Sequence, residues 1–269
     1  FTRNKTNTDV FPQVERLVGD RDGNLGALQG RQWDAVLDIN GYLPRLVTDS
    51  AKLLQNQVGQ YLFVSAGNAC RPFASAVNGD GMDNSVDIDE TCERAVLDDA
   101  ETEEYWGPAY GALKAVCESK VEEYFPDSAI IFRLGVVAGP HDPTDRVTYW
   151  VDRVAKGGEV LIPAKPEDNS TFIDARDLAE FALTALEKKL KGIFHTTGKA
   201  ISWSDWLQAC KQVSGSDAEF KWVDDLTFLA EHIDLMSRPF GALPMMPGRM
   251  AGKISFNSDK AMASGLNYR

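Results

Sequence analysis

Histidine is scarce in this chain, with three copies in 269 residues, and cysteine is little commoner, with four. Cys70, Cys92, Cys117 and Cys210 lie far apart and show no Cys-x-x-Cys pairing with histidine. That spacing argues against a zinc site and against a disulfide framework, so a reducing, cytoplasmic setting is the default. His195 and His232 have no carboxylate or cysteine at ligand spacing, and no metal is expected. No apolar run is long enough to cross a membrane. Positive charge is short as well: 28 Lys and Arg stand against 40 Asp and Glu, a formal charge of −12. A phosphate-backbone binder needs a basic surface, so no nucleic-acid partner is expected, although a small anionic ligand can still sit in a local basic pocket. There is also no initiator methionine; Phe1-Thr2-Arg3-Asn4-Lys5 starts abruptly, as a processed or trimmed product would.

What is present, with 43% hydrophobic residues, reads as either one large α/β domain or two intimately joined lobes. Val14 to Val18, Ala35 to Asp38, Tyr61 to Ser65, Ser128 to Arg133, Val160 to Ile162, Gly192 to Thr197 and Glu219 to Val223 read as strands. Helical spacing marks Pro44 to Val58, Ala109 to Phe125, a segment ending near Lys156, Ala175 to Lys189, and Ser204 to Val213 capped by Ser202 or Ser204. Strands alternating with helices predict a parallel sheet covered on both faces. Ala66 to Glu104 loses periodicity, with an acidic run around Asp83 to Asp89, and reads as a long loop of the kind that is functional or disordered, directly before the second long helix. Met236 to Met250, rich in Pro, Gly and Met, reads as an irregular cover over a pocket.

Chemistry concentrates at the start of the second long helix, Tyr105-Trp106-Gly107-Pro108-Ala109-Tyr110-Gly111-Ala112-Leu113-Lys114. Tyr110 and Lys114 are four apart and so leave one helix face. A neighbouring ammonium favours the ionised phenol, and such a pair can exchange a proton near neutral pH. With seven tyrosines in the chain, the spacing alone arises by chance too often to carry a function. It needs its context.

That context is an ordered set of segments that resembles the extended short-chain dehydrogenase/reductases, the NAD-dependent epimerase/dehydratases. The set comprises Gly19-Asp20-Arg21-Asp22, Trp33 to Asp38, Tyr61 to Ser65, Tyr110-x-x-x-Lys114, Arg133-Leu134-Gly135-Val136-Val137-Ala138-Gly139-Pro140 and Phe172-Ile173-Asp174-Ala175-Arg176-Asp177-Leu178-Ala179. The resemblance implies a Rossmann-type, doubly wound parallel sheet over residues 1–140. It implies a smaller substrate lobe over 141–269, with part of 170–197 returning to the sheet. It makes Tyr110 the acid/base and Lys114 the holder of the nicotinamide ribose. Asp20 and Arg21 would meet the adenine edge, Ile39, Asn40 and Gly41 would line the cofactor, and Leu134, Val136 and Val137 would lie near the nicotinamide. Arg146, Tyr149 and Trp150 are the substrate candidates where the second lobe begins. A dimer through the helices at 44–58 and 109–125 follows from the resemblance alone.

The sequence departs from the family pattern twice. The Gly-x-x-Gly-x-x-Gly phosphate loop is absent, and the resemblance predicts roughly 30–60 further residues before Phe1, as one β-α-β unit requires. Relatives also carry two adjacent hydroxyl residues after the strand ending at Ser65, where this chain reads Ser65-Ala66. Ser65 is the candidate to polarise the substrate oxygen, with the Asn68 amide as a substitute. Losing one such donor can cost about 10²-fold in rate. Arg3 and Lys5, with no acid beside them, suit a 2′-phosphate, so NADP is expected and NAD is the alternative.

The function that follows is an NAD(P)-dependent oxidoreductase or epimerase-like enzyme acting on a hydroxyl or carbonyl of a small, sugar-like substrate. The rival is a non-catalytic member of the same fold. Phe63-Val64-Ser65-Ala66-Gly67 and Tyr149 to Val154 also resemble the chloroplast stem-loop RNA-binding proteins, and an NADP(H)-sensing regulator is a further alternative. The net charge and the retained Tyr110 and Lys114 count against the RNA role. A dehydratase would need a further acid/base pair that the sequence does not place. His141 reads as a loop residue, and Trp203, Trp206 and Trp222 as packing.

Overall fold

Four runs rich in β-branched and aromatic residues lie side by side as one parallel sheet. The computed structural model describes residues 1–6, 8–71, 87–97, 102–105, 107–232, 243, 245 and 255–269. Its central strands are β1 (Trp33–Asp38), β2 (Val58–Ala66), β3 (Ala129–Leu134) and β4 (Gly192–Thr196), in that spatial order. All three pairings are parallel, with Leu62 facing Leu37 on one side and Ile130 on the other. Successive side chains of a strand point to opposite faces, so β2 sends Tyr61 and Phe63 one way and Leu62 the other. The first face packs on helices α1 (Pro44–Leu54) and α2 (Tyr110–Tyr124) through Val47, Ala51, Leu54, Cys117 and Val121. The opposite face, with Ile130 and Phe132, is covered by α4 (Ala175–Glu187) and α7 (Asp259–Ser264) through Phe181, Ala182, Ala185 and Ala261. This is the Rossmann-type α/β sheet the sequence predicts.

A second core gathers the tryptophans. Helices α3 (Thr148–Ala155), α5 (Trp203–Ser214) and α6 (Leu226–His232) close with the parallel pair Glu159–Ile162 and Glu219–Trp222 around Trp150, Trp203 and Trp206. The Trp150 and Trp203 rings meet edge to face at 5.1 Å. Ser202 caps α5 by accepting a bond from the Asp205 amide. The parallel pair Val136–Ala138 and Phe172–Asp174 lies between the two cores. Val137 and Ile173 pack on the sheet side, while Val136, Ala138 and Phe172 pack among the tryptophans.

Three expectations need correction. Among the described residues, the strand over Val14 to Val18 shrinks to a single parallel bridge between Thr2 and Val18, because the polar, turn-rich run before it extends no ladder there. The first helix ends at Leu54, not Val58, because Val58 is already the first residue of β2, opposite Trp33. The third concerns cysteine: Cys70 and Cys92 form a disulfide with Cα atoms 5.7 Å apart. Sequence spacing measures distance along the chain, whereas here two segments run alongside each other, with Arg71 N–H donating to Glu93 O and Ala95 N–H to Ala69 O. The cysteine argument for a reducing compartment thereby loses its premise. Much of the Ala66–Glu104 loop and almost all of Met236–Met250 fall outside the described residues. Among the described residues no helix is long and apolar enough to cross a membrane.

Candidate active site

The first turn of α2 is set by glycines. Gly107 takes φ +85°, a left-handed conformation that side chains disfavour, and its carbonyl accepts from the Tyr110 amide. At Gly111 a Cβ would stand 2.2 Å from the Asn68 carbonyl oxygen, so only glycine lets the helix dock on the turn Gly67–Ala69. Docked this way, the helix carries Lys114 to the carboxyl ends of β1 and β2.

Lys114 is 3% exposed. Its Nζ donates to Gly41 O at 2.7 Å, just beyond β1, and to Val64 O at 2.6 Å, near the end of β2. The charge also lies 4.3 Å from the Phe63 ring centroid and 5.5 Å from that of Tyr42. Burial lowers the Lys114 pKa to about 8. At Gly41 a Cβ would meet the buried side chains of Phe63 at 2.5 Å and Val47 at 2.8 Å, so any larger residue must displace that packing.

Tyr110 is half-buried, and its ring lies 6.3 Å from that of Tyr42, which in turn lies 5.3 Å from Tyr105. Burial, then the nearby Tyr42, pushes the phenol up to about 12, and Arg146 is the cation that draws it down. The expected lowering by Lys114 is therefore not what the structure shows. The Lys114 ammonium is held on two backbone carbonyls, and the cation whose field favours the phenolate is Arg146, whose Nε donates to Thr144 Oγ1 at 3.0 Å.

Other expected residues sit elsewhere. Ser65 shares the Phe63 face of β2 and donates to Glu118 Oε1 at 2.6 Å. Glu118 is fully buried and bonds Arg133 at 2.9 and 2.7 Å and Arg94 at 3.0 Å. Arg21 is taken up by Asp38 (2.5 and 2.6 Å) and Ser50 (2.8 Å), and Tyr61 OH donates to the same Asp38 at 2.7 Å. Burial pushes the Asp38 carboxyl up, but the Arg21 and Tyr61 bonds outweigh it and hold the pKa below the ordinary value. Asp20 accepts from the Asp22 amide in a turn, and Arg3 and Lys5 are exposed. Ile39, 71% exposed, and Asn40 flank the Gly41 carbonyl, and Leu134, Val136 and Val137 lie half-buried at the end of β3 and beyond it. Trp150 is fully buried against Trp203, which corrects its assignment to a substrate surface. Tyr149 packs edge to face on Trp150 at 5.0 Å.

Sequence reasoning missed Tyr42, although it directly follows the Ile39 to Gly41 loop. It also missed Thr196 and Thr197 at the end of β4, whose buried hydroxyls find no hydrogen-bond partner among the described residues, Thr197 standing beside Gly135.

A sequence model of the NAD dependent epimerase/dehydratase family matches residues 28–195, from just before β1 into β4. The chain belongs to this family. Among solved structures it is similar to gox2253, with a TM-score of 0.62 and 20% identity over 100% of this chain and 84% of that one. It is similar to the dTDP-4-dehydrorhamnose reductase of Bacillus anthracis in complex with NADP, with a TM-score of 0.56 and 15% identity over 83% of this chain and 66% of that one. It is also similar to the UDP-glucose 4-epimerase of Thermus thermophilus in complex with NAD, with a TM-score of 0.52 and 20% identity over 83% and 64%. The chain thus spans about two thirds of the length of these last two, and identities this low establish the fold alone. No curated protein sequence matches it. In the epimerase/dehydratase family, as in open parallel sheets generally, the carboxyl ends of the strands are where ligands bind. Lys114, Gly41 and Ile39 all lie at that end.

Proposed function

We propose that this chain is the core of an NAD(P)-dependent oxidoreductase or epimerase that acts on a hydroxyl or carbonyl of a small, sugar-nucleotide-like substrate. One observation carries the reading: in a member of this family, a single helix face brings a phenol and a buried amine to the carboxyl ends of the parallel strands. The cofactor type follows from the family and from the NADP and NAD complexes of the similar folds.

The residues present fit the nicotinamide end of such a cofactor. An ammonium has three N–H donors, and the Gly41 and Val64 carbonyls take two of those of Lys114. The third suits a ribose hydroxyl, and the exposed Ile39 side chain offers an apolar surface beside it. Arg3 and Lys5 remain the residues proposed for a 2′-phosphate, whereas Arg21 serves Asp38. When bound, the nicotinamide supplies a hydride donor or acceptor.

The chain's own residues handle the proton. Tyr110 Oη takes the proton of a substrate hydroxyl during oxidation and returns it during reduction. Arg146 favours the phenolate that the first of these steps needs. Ser65 is left out of the chemistry, because its hydroxyl proton is committed to Glu118.

The test is a fluorescence titration with NADPH and NADH of the chain extended upstream through a glycine-rich phosphate loop, repeated on Tyr110→Phe and followed by turnover with sugar-nucleotide substrates. The expected outcome is binding in both proteins, tighter for NADPH, with turnover in Tyr110→Phe reduced by about 10²-fold or more. Wild-type-like turnover in that variant removes Tyr110 from the mechanism, and binding of neither cofactor removes the oxidoreductase reading.

A further inference from the structure

The disulfide between Cys70 and Cys92 sits in surroundings that a purely structural crosslink does not require. Arg133 is 1% exposed, and its Nη1 lies 3.2 Å from Cys70 Sγ and 3.0 Å from Cys92 Sγ. The rest of the guanidinium is anchored on the buried Glu118 carboxylate, so the cation cannot swing away from the sulfurs. His195 Nε2 also lies 3.7 Å from Cys70 Sγ. His195 Nδ1 faces the Ile88 carbonyl at 3.2 Å, and a carbonyl only accepts, so Nδ1 carries the proton and Nε2 turns a lone pair toward Cys70. A fixed cation and a proton acceptor around one sulfur are what stabilise a thiolate and take up a thiol proton.

The two sulfurs differ in access. Cys70 is fully buried, whereas Cys92 is half-buried. We propose that Cys70–Cys92 is a redox-active disulfide that exchanges with a dithiol reductant, with Cys92 as the attacked sulfur and Cys70 as the leaving thiolate. A reductant thiolate forms a new S–S bond to Cys92 Sγ as the Cys70–Cys92 bond breaks, and the electron pair departs on Cys70 Sγ beside Arg133. The second thiolate of the reductant then attacks its own sulfur in the mixed disulfide and releases Cys92. The protein disulfide has gained two electrons and the dithiol has become a disulfide. The dithiol's two protons pass to the cysteines or to solvent, and His195 Nε2 is the acceptor when the Cys70 thiol ionises for reoxidation.

The same three residues, Cys70, Cys92 and His195, also offer ligand atoms within 4.8 Å of one another. A metal fits less well. Tetrahedral sites take four ligands, the described residues provide three, and the Arg133 cation already stands against both sulfurs. Cys70 also adjoins the turn that carries Asn68, on which Gly111 rests, so this bond braces the support beneath Tyr110.

The test uses the whole folded chain in mixtures of reduced and oxidised dithiothreitol, quenched in acid and labelled with N-ethylmaleimide for mass spectrometry. The expected result is a reversible gain of two labels, mapped to Cys70 and Cys92, with no denaturant present. In a second arm, glutathione disulfide is offered to Cys70→Ser and to Cys92→Ser. Mixed disulfide is expected at Cys92 at least about tenfold faster than at Cys70, as access dictates. Labelling that appears only in urea would show an inert crosslink and overturn the proposal. So would equal glutathione uptake by the two variants, or the binding of one zinc ion per reduced chain.

Discussion

A lysine buried to 3% exposure lowers the stability of a fold while it is charged, and Lys114 does so at a pH where the protein is expected to work. Its folded pKa of about 8 lies below the ordinary 10.5. Between those two values the unfolded chain binds more protons than the folded one, so stability must rise with pH across that window. Below pH 8 the cost is present in full, and above 10.5 it is gone. A change of one pKa unit is worth about 1.4 kcal/mol, so the gain from pH 8 to pH 10 is about 2 kcal/mol. Lys114→Met should lack this gain. Urea unfolding of both proteins across that range checks it: the difference between them should grow in favour of the wild type by roughly that amount. Parallel pH profiles would mean that Lys114 keeps an ordinary pKa and is better hydrated than the structure shows. Spacing along the chain carries no hint of this, because it places Lys114 near Tyr110 on one helix face and does not reveal the Gly41 and Val64 carbonyls that hold the ammonium.

At the scale of the element, α2 depends on close approach. Gly111→Ala puts a methyl group 2.2 Å from the Asn68 carbonyl, which is backbone and cannot turn aside. The helix must lift off its supporting turn, at a cost of about 1–3 kcal/mol by analogy with overpacked cores. Because Lys114 rides on the same helix, cofactor affinity should fall with the melting temperature, which calorimetry and the NADPH titration read separately. Ser65→Ala is the contrasting change. It removes one bond to a Glu118 that still holds Arg133 and Arg94, so a loss of about 1 kcal/mol of stability is expected, with kcat near that of the wild type. A loss of about 10²-fold in kcat would instead make Ser65 the polarising donor.

These two positions show what a sequence makes legible. The helix and the Tyr110-to-Lys114 spacing follow from periodicity, which is local. The face on which Ser65 lies, and the carboxylate waiting there, depend on the pairing of β2 with β3 and on how α2 crosses them, which is not. The disulfide escaped for the same reason, since 22 residues separate its cysteines and only the folded chain lays their segments together. Trp150 was misplaced because an aromatic at the start of a lobe reads the same way whether it faces a ligand or Trp203.

At the scale of the whole molecule, two cores share one short piece of sheet. Alternate residues of the pair Val136–Ala138 and Phe172–Asp174 belong to different cores, Val137 and Ile173 to the sheet side and Val136, Ala138 and Phe172 to the tryptophan side. A strand whose two faces are each buried in a different core cannot detach from one without disturbing the other. The two cores should therefore unfold together. Trp203→Ala tests this, because Trp203 is fully buried and touches both Trp150 and Trp206 at about 5 Å. The cavity should cost about 3–5 kcal/mol. Under native-state hydrogen exchange, the amides of Leu207 in α5 and of Phe63 in β2 should lose protection by the same factor, since both open through one global event. If Leu207 exchanges faster while Phe63 keeps its wild-type protection, the tryptophan core opens by itself and the shared pair does not couple the two halves. With equal loss, the residue that draws Tyr110 down, Arg146 beside the tryptophan core, and the helix that carries Tyr110, packed on the sheet, are held in register by the fold itself, without a ligand to bring them together.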